Sequence, residues 1–350
     1  SFGRFRHETT PITMPTLVCC NDDVALLTQT LRDVDPLPWL IGAHPVYGLA
    51  MEYNDVIAAR FAPSADGAVA KPTVQASSAR QLRDAVEPIA MHSVWCRGTN
   101  ERLAKFGHNF MTAYVCSRAA LLGDPTPGVV ASSFAVFEPD MLTGVYAAGK
   151  ELCERSALLQ ARDEATIASL SGVLAGEDVC GVADVLRRGV EAASGTGRPL
   201  FSGLRDQPWP DSDIGQLWRA AELFREHRGD SHVAACVAAG LDPIEMNVMT
   251  ELFVGMKLGT YSATRGWDEA ALQGGAQRLR DRGLIDGDGL SDAGGSFRSG
   301  IEHHTDVAQQ SIIAAIGGDL GAVVEATTAW SQRCVDVQAF PPNIFKRAAG

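Results

Sequence analysis

The sequence contains no run approaching the roughly 18 consecutive apolar residues that a membrane-spanning helix needs, so no membrane partner is expected. Its first residues, SFGRFRHETTPITMP, lack the apolar core of a secretory signal, and a cytoplasmic protein is expected. Positive charge is in short supply. Thirty Lys and Arg face 42 Asp and Glu, a formal net charge of −12. That balance repels nucleic acid and acidic membrane surfaces, so contact with DNA would need a local basic patch. None of the 8 cysteines forms a C-x-x-C pair; most sit in apolar helical patterns and read as reduced, buried thiols. The adjacent Cys19 and Cys20 read as a plain strand or loop pair before a soft-metal or oxidant-sensing one.

Catalytic text is equally sparse. There is no H-E-x-x-H, no nucleophile elbow and no phosphate-cradling glycine loop, and Gly195-Thr-Gly197 follows no strand as a dinucleotide fingerprint would. His303 and His304 are adjacent and point different ways on a helix. Glu226, Asp230 and His232 are metal-ligand types at a poor spacing, because His232 lies well round the helix from the two acids. No metal and no cofactor are expected.

What is present describes a folded chain of 350 residues, 46% hydrophobic and 21% charged, long enough for two domains or one large one. Residues 1–78 read as an N-terminal extension and linker. DDVALLTQTLRDV suggests a short amphipathic helix, VYGLAMEYNDVIAARFA (46–62) either a hairpin or a helix, and PSADGAVAKPTVQASS a flexible link. A helical domain is expected over 79–199. Its helices start at SARQLRDAVEPIAMHSVW behind a Ser cap and continue at Asn100–Val115, Pro139–Leu152 and Gln160–Leu174. DVCGVADVLRRGVEAA adds a fifth, and SGTGRP is a hinge. Residues 200–350 are expected to hold a long helix, a helix opening at Asp242-Pro243 and a C-terminal module, with a last helix near 319–335 suited to dimer packing or a lid.

The long helix, Leu217–Leu241, carries the densest set of ionisable residues. Positions three, four and seven apart share a face. Arg225, Arg228 and His232 therefore form one stripe, which Cys236 continues. Glu222, Glu226 and Asp230 form its acidic neighbour, with Arg219 and His227 close by. Apolar residues flank both stripes. Burying a charge costs several kcal/mol unless it is paired, so these groups either pair in a structural network joining two halves of the protein or line a pocket. In the pocket reading Arg225 or Arg228 holds a carboxylate or phosphate, Asp230 joins the wall, and Glu226 and His232 supply acid–base groups. Glu87, His92, Tyr114, Arg118 and Trp267 are further candidates to face the same space.

From Asp268 onward the order is capped helix, Gly283, a strand start at Leu284-Ile285, the turn Gly287-Asp288-Gly289, a return at Leu290 and a helix capped by Ser291 or Asp292. That is the order of a winged helix-turn-helix. The text resembles the recognition helix, wing and following helix of MarR-type proteins through Leu279, Arg282, Gly283, Leu284, Ile285, Leu290, Ser291 and Gly294, with Ser291 where Thr is usual. Over roughly 80–335 the chain also resembles a narrower actinobacterial group of MarR-like proteins. The matching segments are Glu87-Pro88 with His92, Arg118–Gly123, Arg225–His232, Arg265–Trp267 and Glu302–Asp306. The resemblance implies a mainly α fold, a multi-helix domain followed by a C-terminal winged helix-turn-helix domain with a small β-wing, and a homodimer.

Arg278, Arg280 and Arg282 would be the DNA-contacting groups of such a module. Five arginines stand against eight acids between Arg265 and Asp306, a local charge of −3, and the wing tip is Asp286-Gly-Asp288. A reader of DNA wants basic groups there, and the Gly274-Gly275 pair suggests close helix packing. A scaffold or dimerisation role fits better. The leading expectation is a sensor or sequestering protein that binds a small organic ligand beside Arg225–His232. The alternative is a cofactor-independent enzyme of specialised metabolism that uses Glu226 and His232 for acid–base chemistry in the same pocket.

Overall fold

A computed structural model describes residues 52–61 and 77–342. The expected helix near residue 22 and most of the linker lie outside these. The segment left open between hairpin and helix is helical over α1 (Tyr53–Phe61). Ser77 accepts from the Arg80 N–H and starts α2 (Ser78–Ala90), which Met91 separates from the short α3 (His92–Trp95). The single helix expected over 100–115 is two. Gly107, at φ 95°, turns the chain between α4 (Arg97–Ala104) and α5 (Phe110–Ala119), and Asn109 and Thr112 form a capping box at the restart. Of the stretch VVASSFAVF (129–137), the first six residues lie in helix α6 (Pro127–Phe134), which ends where Ala135 takes φ 46°. Then follow α7 (Pro139–Lys150), α8 (Arg155–Val173), α9 (Cys180–Glu191) and α10 (Pro199–Arg205).

The long helix α11 (Asp213–Ala238) is capped by Ser212. Asp242 and Glu245 form a capping box at α12 (Pro243–Val254), with Pro243 at the first position, where a missing N–H costs nothing. Asp268 caps α13 (Glu269–Asp281). Ile285–Asp286 (β1) and Gly289–Leu290 (β2) pair antiparallel, and Ser291 caps α14 (Asp292–Val307). The chain closes with α15 (Gln310–Ile316) and α16 (Leu320–Asp336). By length and mean hydropathy, 310–336 passes as one membrane-crossing helix, a possibility that counting uninterrupted apolar runs does not reveal. The run turns at Gly317, φ 62°, and its Val323, Thr327, Trp330, Ser331 and Cys334 are buried, with the Ser331 hydroxyl donating to the Ala85 carbonyl on α2.

Two apolar clusters hold the described residues. The larger gathers α2 to α10, the first half of α11 through Leu217, Trp218 and Phe224, and α15 and α16. The smaller gathers Cys236, Leu241, Met246, Met249, Leu272, Leu279, Ile285 and Ile301. In it α13 sits so close to α12 that a Cβ on Gly275 would come within 2.4 Å of Ile244, the packing that the glycine pair suggested. Helix α11 runs from one cluster into the other. Its polar segment, 225–232, occupies the stretch between them, where neither core supplies apolar cover.

Candidate functional site

Residues 225–233 of α11 line a cavity of about 140 Å³, together with α2, α5, the α6–α7 strap, α14 and the turn before Gly266. Seven arginines and four carboxylates face it: Arg80, Arg83, Arg118, Arg225, Arg228, Arg265 and Arg298 against Glu87, Glu226, Asp230 and Glu302. Tyr114, Phe134, Phe137 and Tyr261 add aromatic surface. A chain with net charge −12 thus concentrates cations at one interior place.

Much of this charge is paired. Arg118 clamps Glu226 through two parallel bonds, Nε to Oε1 at 3.2 Å and Nη2 to Oε2 at 2.7 Å, and donates to the Tyr114 hydroxyl at 3.0 Å. Arg225 donates to Glu226 at 2.8 Å and to Glu87 at 3.2 Å. On the other side Arg228 donates to Glu302 at 2.8 Å and Asp306 at 3.2 Å, and Arg298 to Glu302 at 2.6 Å. Helices α2, α5, α11 and α14 are tied together by ion pairs, as the structural alternative expects, and the same residues line the cavity.

Two lining groups are different. Arg265 ends the 3₁₀ turn Ser262–Arg265, half-buried over the rings of Tyr261 (4.2 Å) and Phe137 (4.9 Å), and donates to the Thr264 and Tyr261 hydroxyls. Its Nε has no partner, and among the described residues no carboxylate pairs with it. Asp230 is buried and accepts from the Phe201 N–H at 3.0 Å, with no ion pair among the described residues. The buried Oε2 of Glu87 also lacks a hydrogen-bond partner.

These surroundings set the proton affinities. Burial alone would raise Glu226; Arg118 and Arg225 overturn that and hold its carboxyl below the ordinary value. Burial likewise works against ionised Glu302, but Arg298 and Arg228 hold it well below the carboxylate range. Burial, then Arg298, pushes His232 down to about 3, so it is neutral near pH 7. Burial pushes Asp230 up to about 7, against the stabilising N–H of Phe201. Glu226 and His232 are therefore a weak acid–base pair near neutrality, and Asp230 is the lining group poised to titrate there.

Of the candidates read from sequence, Glu87, Tyr114, Arg118, Arg225, Glu226, Arg228, Asp230 and His232 come together at the cavity. His92 and Trp267 do not line it. His92 is buried at 0% exposure, 3.0 Å from the Ser169 hydroxyl on α8, and burial pushes it down to about 4. Trp267 donates its indole N–H to the Val136 carbonyl, which also accepts from Asn247 of α12. Together with the Glu138 N–H to Arg265 carbonyl bond, these contacts fasten the strap between α6 and α7 to the turn bearing Arg265. Glu251, fully buried, accepts backbone N–H groups of Gly259, Tyr261 and Ser262 and fixes that turn. Sequence reasoning missed Arg80, Arg83, Arg265 and Arg298 as lining residues. One signal was present: Arg298 and Glu302 stand four apart, on one helix face.

The sequence model of a helix-turn-helix family matches residues 79–341. The chain belongs to this helix-turn-helix family. The match covers both apolar clusters and every element that lines the cavity, so the family unit is larger than α12, α13 and the hairpin. No curated protein and no solved structure matches the chain. In this helix-turn-helix protein the cations of α13 are partly committed. Arg278 pairs with Asp242 and Glu245, and Arg282 pairs with Glu245 at 3.5 Å and lies over Phe297. Arg280 makes no ion pair among the described residues. No three His, Cys, Asp or Glu gather as metal ligands among the described residues.

Proposed function

We propose that this helix-turn-helix protein binds a small organic anion in the cavity beside Arg225–His232 and works as a ligand-responsive sensor or sequestering protein. The observation that supports it is Arg265: the other lining arginines pair with Glu87, Glu226 and Glu302 of the lining or with Asp84 and Asp306 beside it, whereas Arg265 has no counter-ion among the described residues. A half-buried guanidinium without an anion forfeits hydration, and two hydroxyls and two ring faces offset that loss without neutralising the charge. An anionic ligand supplies the missing partner.

In this reading α12, α13 and the β1–β2 hairpin form a winged helix of the MarR type. The module is a scaffold that carries Arg265 in the turn between α12 and α13 rather than a reader of DNA, given the acidic wing tip and the pairing of Arg278 and Arg282. A homodimer, as the resemblance implies, and a cytoplasmic location, as the amino-acid sequence suggests, belong to the same reading as expectations. Native mass spectrometry on protein released gently from its own cells tests it: a discrete organic acid should accompany the chain. Chains of bare mass, even after incubation with the small-molecule extract of those cells, would contradict it.

Asp230 favours a second reading. A carboxyl pushed up to about 7 in a ligand cavity is suited to proton transfer, so an acid–base enzyme working here would draw on Asp230 rather than on Glu226 and His232. Retained ligand binding with loss of turnover in Asp230→Asn would move the assignment to the enzyme.

A further inference from the structure

The lining leaves one cation and one carboxyl without an ion pair, and one further carboxylate oxygen without a hydrogen bond, at the same cavity. Arg265 has no carboxylate partner among the described residues. Asp230 is buried without an ion pair although seven arginines share its cavity, and the Oε2 of Glu87 accepts nothing. A ligand that answers only Arg265 leaves Glu87 Oε2 unpaired, at a cost of about 1–3 kcal/mol for a buried polar group, and leaves Asp230 with the Phe201 N–H but no charged or ligand partner. A cation alone would answer the acceptors and be repelled by the arginines. The volume adds a limit: about 140 Å³ is close to the roughly 150 Å³ that accommodates one benzene ring in an engineered cavity. Tyr114, Phe134, Phe137 and Tyr261 present ring faces and edges to such a group.

We propose that the occupant is a single-ring organic acid that also carries a hydrogen-bond donor, an amine or a hydroxyl, away from its acid group. Arg265 holds the anionic group through its planar fork, the ring lies among the aromatic side chains, and Asp230 and Glu87 receive the donor. This rests on the cavity being a ligand site and states which chemistry it selects. An amine donor meets Asp230 as carboxylate, whereas a hydroxyl donates to it without adding charge.

Calorimetric titration with matched probes tests the selection: 3- and 4-(aminomethyl)benzoate, 3- and 4-(hydroxymethyl)benzoate, benzoate and benzylamine. A donor-bearing acid should bind at least about tenfold more tightly than benzoate, a difference of about 1.4 kcal/mol, and benzylamine should not bind. Preference for the aminomethyl or the hydroxymethyl set identifies the donor. Arg265→Met should weaken all the acids at least tenfold, and Arg265→Lys, which keeps the charge, should restore part of the loss. Asp230→Asn should erase the advantage of the donor-bearing acids over benzoate. Equal binding of benzoate and the donor-bearing acids, or undiminished binding to Arg265→Met, overturns the proposal. Failure of every probe overturns it too. An organic mass retained by the protein from its own cells then leaves the ligand site standing, whereas chains of bare mass remove that as well.

Discussion

Helix α11 carries buried charge at two places a turn or so apart, and the two behave differently. Near its start Arg219 donates to Asp163 at 2.6 Å, Glu222 accepts from Arg162, and both guanidinium groups lie against the Trp218 ring, at 5.5 and 5.0 Å. Two arginines meet two carboxylates, both arginines are 1% exposed, and none of the four groups lines the Arg-rich cavity. From Arg225 to His232 the same residue types are also largely paired, yet one guanidinium, Arg265, and one carboxyl, Asp230, are left without an ion pair among the described residues. The first is balanced in charge: Arg219 Nε and Glu222 Oε2 make no hydrogen bond, but they face each other as an ion pair at 4.0 Å. The second is a network with vacancies of both signs around a space. Burial of charge thus separates the two networks less well than which charged groups are left without an ion pair.

The largest effect should come from breaking the balanced network. Glu222→Ala leaves Arg162 in the core with only its 3.4 Å contact to Asp163 and should cost about 3–5 kcal/mol in urea denaturation, while Arg162→Met combined with Glu222→Leu should be near neutral or stabilising. Next comes the junction beside the open network. Gly266 sits at φ 86°, and a Cβ there would come within 2.6 Å of Met141. Gly266→Ala should therefore cost about 1–3 kcal/mol and should weaken ligand binding, because the turn carrying Arg265 must move.

Proton linkage separates the networks a third way. His92 and His227 are pushed down to about 4 and His232 to about 3, chiefly by burial. Each stays neutral in the folded chain while the unfolded chain takes up its proton below about 6.5, so stability falls as pH falls through that range. Asp230 acts oppositely: with its folded value raised to about 7, the native state binds the extra proton between about pH 4 and 7, and its contribution is lost as pH rises through that window. Asp230→Asn should steepen the loss of stability on acidification by up to one proton, about 1.4 kcal/mol per pH unit. An unchanged slope would mean that Asp230 is not the strained group of the open network.

Arg265→Met should change stability in the absence of ligand by less than about 1 kcal/mol, since no ion pair is lost. A penalty the size of that for Glu222→Ala would make the cavity another structural network. The smallest effects belong to α13. Arg278→Ala and Arg282→Ala remove partly exposed pairs worth less than about 1 kcal/mol. They should not alter retention of duplex DNA in gel-shift assays, and a loss of retention would restore a DNA-reading role.

Much of the scaffold was legible because its signals are local. Ser212, Asp242 with Glu245, Asp268 and Ser291 announce helix starts, and Gly283 and Gly287 mark positive φ where the hairpin begins and turns. The break at Gly107 was hidden by apolar text that continues across it. The site was half legible for the same reason. Arg225, Glu226, Arg228 and Asp230 crowd one helix, so their need for partners can be read directly. Arg265 reaches them only because Glu251, Asn247 and Trp267 anchor a turn some forty residues downstream, and no sequence spacing encodes that approach. His92 has the residue type of a site and the surroundings of a core, which spacing does not distinguish.

The central claim is that the open network on α11 is completed by a small organic acid. The most direct test is a high-resolution crystal structure of protein isolated gently from its own cells. The account predicts a single-ring molecule in the cavity with its anionic group against Arg265 and a donor toward Asp230 or Glu87. Arg265 paired instead with a protein carboxylate, and only ordered water between α2, α11 and α14, would contradict it.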